Sequence, residues 1–74
     1  MKLVIRVNDE FHSYLRGFGK TNDQIELTLE RSAAHTYKSH MDAGDDIYRL
    51  TLLSNGSLTG EIAEYKSSPK IISI

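Results

Sequence analysis

Two stretches of this chain alternate apolar and polar residues with period two, and they constrain its fold more than any other feature. From Lys2 to Val7 the alternation places Leu3, Ile5 and Val7 on one face, with Lys2 and Arg6 on the other. From Gln24 to Arg31 it places Ile25, Leu27 and Leu29 inward and Glu26, Thr28 and Glu30 outward. Successive side chains of a strand point to opposite faces, so each stretch reads as a half-buried strand of a sheet with one covered side. The outward charges are opposite in sign. Direct pairing of the two strands would set Lys2 and Arg6 near Glu26 and Glu30.

The intervening segment, residues 9–18, offers two readings. Phe11, Tyr14, Leu15 and Phe18 fall at i, i+3, i+4 and i+7, the spacing of one helical face, with Asn8 or Asp9 as cap and Gly17 and Gly19 at the end. The competing reading is a strand through Tyr14, Arg16 and Phe18 that turns at Lys20-Thr21-Asn22-Asp23. The helix is the preferred expectation. A second helix is expected from Ser32 to Ala43. Ser32 would cap it, Ala33, Tyr37 and Met41 would share a face, Lys38 and Asp42 would form an i,i+4 pair, and Gly44 would end it.

Ser54-Asn55-Gly56 reads as a hairpin loop with Gly56 in the left-handed region. A three-residue loop sets Leu52 against Leu58, Leu50 against Gly60 and Tyr48 against Ile62 on one side, with Arg49 against Glu61 and Thr51 against Thr59 on the other. That register keeps the faces unmixed, whereas a slip of one residue would misplace every side chain. It leaves Ile47, Ala63 and Tyr65 as apolar surface on the outer face. After Lys66-Ser67-Ser68-Pro69 come Ile71, Ile72 and Ile74, expected as an edge strand or a contact surface.

The expected architecture is therefore α+β: a two-layer domain over residues 1–74, with four or five mainly antiparallel strands and one or two short helices on one face, in approximate order β-α-β-α-β-β. Seventy-four residues leave room for one domain, and its core is small. The absence of cysteine rules out disulfides and thiolate metal sites, so packing or association must hold the chain together. No apolar run approaches the ~20 residues of a bilayer span, and the first residues carry no secretion-signal pattern. A cytoplasmic location is the expectation.

A formal net charge of −1 disfavours both a nucleic-acid binder, which needs a basic face, and an acidic mimic of DNA. The fragments that suggest chemistry are incomplete. Gly19-Lys20-Thr21 resembles the end of a phosphate-binding loop, but Tyr14 stands where that pattern needs glycine. Arg16-Gly17-Phe18-Gly19 resembles the first half of the RNA-recognition-motif signature, and residues 20–23 do not continue it. His35 and His40, five apart, cannot face one metal from a single helix, and a His12 acid–base pair has no supporting pattern. Asp42, Asp45 and Asp46 around Gly44 lack the alternation of a calcium loop and read as a solvated turn.

These residues point to a small non-enzymatic protein-binding module, a regulator or inhibitor of a larger protein or a homodimer, without cofactor or metal. Its expected contact residues are Ile47, Ala63, Tyr65, Ile71, Ile72 and Ile74. The alternative is a nucleic-acid-binding accessory using Arg16, Phe18, Lys20 and Lys38. A small hydrolase or nuclease with histidine chemistry ranks third.

Overall fold

A computed structural model describes residues 2–21 and 23–65. Four strands, β1 (Leu3–Val7), β2 (Tyr14–Gly17), β3 (Glu26–Thr28) and β4 (Gly60–Glu64), form one antiparallel sheet in the order β3-β2-β1-β4. Among the described residues, one α-helix, α1 (His40–Leu53), packs on it, and one 3-10 turn, Arg31–Ala33, precedes the helix. The α+β class and the antiparallel sheet are as the alternation implied.

The strand β1 is central, flanked by β2 and by β4. Against β4 it pairs in full register, Leu3 with Glu64, Ile5 with Ile62 and Val7 with Gly60. Ile62 and Gly60 thereby share the inner face with Leu3, Ile5 and Val7, while Ala63 lies on the outer face beside Val4. Val4 is itself fully buried, so β1 is covered on both sides at that point. Because β2 separates β1 from β3, the expected pairing of Lys2 and Arg6 with Glu26 and Glu30 does not form. Arg6 instead approaches Glu61 of β4 at 4.0 Å, between exposed side chains, where such a pair contributes little.

The pairing of β1 with β2 is short. Arg6 sits opposite Tyr14, and then the strands splay. Residues 35–37 fill the gap: the His35 N–H donates to Leu15 O at 3.0 Å, and Tyr37 and Leu3 exchange two backbone hydrogen bonds of 2.8 and 2.9 Å. Backbone groups that would otherwise be stranded in the core are satisfied this way.

Residues 9–18 are a loop and a strand, so the preferred helix is corrected. Asp9 accepts hydrogen bonds from both the backbone N–H of Ser13, at 2.7 Å, and its hydroxyl, at 2.6 Å. His12 adopts a φ of 53°, which no helix accommodates. With the helical turn closed off, Tyr14–Gly17 extends as β2, Leu15 and Phe18 enter the core, and Phe11 stays exposed.

The helix lies further along the chain than expected. Ser32 falls in the 3-10 turn, and the N-cap is Ser39, whose hydroxyl accepts from the Asp42 N–H at 3.2 Å. Gly44 lies inside α1 and does not end it. The aspartates Asp42, Asp45 and Asp46 thus fall in the N-terminal half of a helix, where Asp42 in the first turn suits the positive end of the dipole.

Ser54-Asn55-Gly56 ends α1 and does not close a hairpin. The Gly56 N–H donates to Thr51 O and the Asn55 N–H to Leu52 O, with φ of 55° at Asn55 and 83° at Gly56. This is the paired hydrogen-bond pattern of a Schellman C-cap. The expected positive φ at Gly56 is present, but the pairings of Tyr48, Leu50 and Leu52 with Ile62, Gly60 and Leu58 are not. Residues 47–53 are helical, and the partner of β4 is β1.

Candidate protein-binding surface

The helix is held on the sheet by one face. Ala43 and Leu50 are fully buried, and Ile47 packs between them against the cluster of Leu3, Ile5 and Leu15. Positions 43, 47 and 50 stand at i, i+4 and i+7, so they lie within about 60° of one another around the axis. Two polar anchors fix the helix, one at its middle and one at its C-terminal end. The Tyr37 hydroxyl donates to Asp46 Oδ2 at 2.5 Å, and Ser54 Oγ accepts from the Leu58 N–H at 3.0 Å. Burial first, and then the hydrogen bond to Asp46, push the Tyr37 phenol well above its ordinary range, so it stays a neutral donor.

The opposite face of α1 is also apolar. Met41, Tyr48 and Leu52 stand at i, i+7 and i+11, which returns them to within about 40° of one line along the helix. That line runs directly away from Ala43 and Leu50. Met41 is 78% exposed, Tyr48 67% and Leu52 58%. Asp45 falls on the same line between Met41 and Tyr48. Single exposed apolar residues, such as Phe11 and Leu29 here, are ordinary; three in register on one rigid element are not.

The expected contact residues are not brought together. Ile47 faces the core, because the segment is helical and position 47 shares the stripe of Ala43 and Leu50. Ala63 is half-buried on the outer face of β4, and the Tyr65 ring lies under the Arg31 guanidinium, 5.5 Å from its centroid. Ile71, Ile72 and Ile74 lie outside the described residues. In the alternative set, Arg16 and Lys20 are exposed, but Phe18 is only 6% exposed and covered by the Arg49 guanidinium at 5.3 Å. Its ring therefore presents no free face for stacking on a base.

Two clefts open to solvent on the described surface. One, of about 390 Å3, lies at the junction of β1 and β4 and is lined by Arg6, Asn8, His12 and Glu61. A second, of about 420 Å3, lies beside the helix N-terminus between His35, Lys38, Asp42, Asp45 and Arg49. His12 and His35 thus belong to different clefts, and His35 packs edge-on against Tyr37 at 4.6 Å. Among the described residues, no three His, Asp or Glu side chains cluster as metal ligands. Among them too, no helix is long and apolar enough to cross a membrane.

The reading of residues 47–53 as a strand missed the line of Met41, Tyr48 and Leu52; the signals that could have found it are the heptad-like spacing of the three and Ser39 three residues before Asp42, an N-cap pattern. No family profile, curated protein or solved structure matches the chain.

Proposed function

We propose that this chain is a small non-enzymatic protein-binding module whose docking element is the outward face of α1. The observation that carries the reading is the line of Met41, Tyr48 and Leu52, exposed on a helix whose other face already fills the core. A helix presenting anchors at this spacing is a common way for one protein to engage another, and tyrosine is among the side chains that dominate interface energetics. The surface is held rigid, since the Tyr37–Asp46 hydrogen bond anchors the middle of α1 and the C-cap its end. Within this reading the chain acts by covering surface on a partner chain. A cytoplasmic setting suits a cysteine-free fold of this kind.

The test is site-specific photo-crosslinking in the native host. A photoreactive residue at position 48 is expected to yield discrete protein adducts, and the same residue at Lys20, in an exposed turn, is expected to yield none. Absence of adducts at 48, or equal yields at both positions, would refute the reading.

A further inference from the structure

Resting on that reading, we infer that the occupant of the α1 face is a second copy of this chain, bound antiparallel about a two-fold axis. The argument starts from Asp45, the one charged residue on the line of Met41, Tyr48 and Leu52. A parallel pair of α1 helices would set Asp45 against Asp45 and overlay the two acidic halves that carry Asp42, Asp45 and Asp46. An antiparallel pair with Met41 opposite Leu52 sets Asp45 opposite Tyr48, whose hydroxyl can donate to the carboxylate. The same register keeps the acidic half of each helix, with Asp42 and Asp45, beside the half of the other that carries no acidic residue. No atom stands within 4 Å of where a Gly44 side chain would begin, so the two backbones can approach there. The face is thus complementary to itself under a two-fold rotation, and a polar residue in an apolar seam selects orientation as it does in coiled coils.

The area sets the strength. The three side chains expose on the order of 400 Å2 per copy, about 800 Å2 in the pair, below the ~1,200–2,000 Å2 of a standard stable interface. The dimer is accordingly a reversible one, half-formed at roughly 10–100 μM.

Sedimentation velocity from about 10 μM to 1 mM brackets that range. The wild-type sedimentation coefficient rises towards the dimer value, and Leu52→Glu stays monomeric with unchanged far-UV circular dichroism and melting temperature. Because the chain has no cysteine, single-cysteine variants report the register. In an antiparallel pair the two copies of position 41 lie about 16 Å apart along the axis, and position 41 meets position 52. Mixed Met41→Cys and Leu52→Cys proteins should oxidise to a heterodisulfide several-fold faster than either variant alone. Equal self-crosslinking of Met41→Cys, or a wild-type protein monomeric throughout the range, overturns the inference. Should that monomer still give an adduct with a different protein from position 48, the docking reading stands and only the identity of the occupant falls. With no adduct, both fall.

Discussion

Two glycine-to-alanine substitutions, at Gly60 and at Gly44, should move stability in opposite directions, and the contrast tests the packing of α1 directly. Gly60 opens β4 where the strand passes under the helix. A β-carbon there would meet Ile5 Cγ2 at 2.6 Å, with Arg6 O and Ile47 Cγ1 both at 3.4 Å. Ordinary carbon contacts lie near 3.5–4.0 Å, so the overlap is about 1 Å, and it falls on a fully buried side chain in a full core. Such overpacking costs about 1–3 kcal/mol, of which roughly 0.4–1 kcal/mol is offset because alanine restricts the unfolded chain. The net expectation for Gly60→Ala is a loss of about 1–2 kcal/mol. At Gly44, inside the helix, a β-carbon meets nothing within 4 Å, and alanine gains roughly 1 kcal/mol of helix propensity. The two variants should therefore differ by about 2–3 kcal/mol. With an m-value near 1 kcal/mol/M for a domain this small, that is a separation of roughly 2 M or more in urea midpoint. Urea unfolding at micromolar protein, followed by circular dichroism, measures it. A Gly60→Ala protein as stable as wild type would mean that α1 and β1 do not close over β4, and the reasoning would fail.

The anchor beneath the helix is tested by Tyr37→Phe, which leaves Asp46 without its donor and should cost about 1.5–3 kcal/mol in chemical denaturation. Since the folded state holds the Tyr37 phenol above its ordinary value of 10.0, the stability linked to it is complete below that pH and lost as pH rises beyond it. Wild type should then weaken in alkali more steeply than the phenylalanine variant, and parallel curves would exclude the linkage. Asp9 behaves in the opposite sense: chiefly through the Ser13 hydroxyl, its carboxyl is held below the ordinary 3.8. Its contribution is present above that value and disappears as pH falls through the lower folded one, so Asp9→Ala should be destabilised at neutral pH and converge on wild type in acid. Ser39→Ala should lower stability by about 1 kcal/mol through loss of the N-cap, whereas Ser32→Ala, outside the helix, should lie within about 0.5 kcal/mol of wild type. Equal effects at the two serines would contradict the observed helix start.

Period-two alternation is a local signal with a local cause, and it was enough to locate β1 and β3, although Leu29, expected inward, lies past the end of β3 and is 68% exposed. Leu3, Ile5 and Val7 can share one face only if the segment is extended, whatever its neighbours are. Class followed from the same signal, because a short half-covered sheet needs another layer to bury it. What the chain could not disclose by pattern was which element supplies that layer. Residues 43–53 satisfy two periods at once: Tyr48, Leu50 and Leu52 alternate as in a strand, while Ala43, Ile47 and Leu50 recur as in a helix. Asn55-Gly56 is equally ambiguous, since a hairpin loop and a helix C-cap both call for a left-handed backbone. Tertiary structure decides between them. The central strand β1 takes β4 as its partner, which leaves residues 40–53 to cover the inner face as a helix. In that arrangement Leu50 goes into the core, and Tyr48 and Leu52 are turned out to water. The same holds for residues 9–18, whose helical spacing was real but yielded to the Asp9–Ser13 clamp and to a place beside β1. The exposed apolar face of α1 is thus a product of the fold: side chains that alternation would have buried in a sheet become exposed only because long-range strand pairing makes their segment helical.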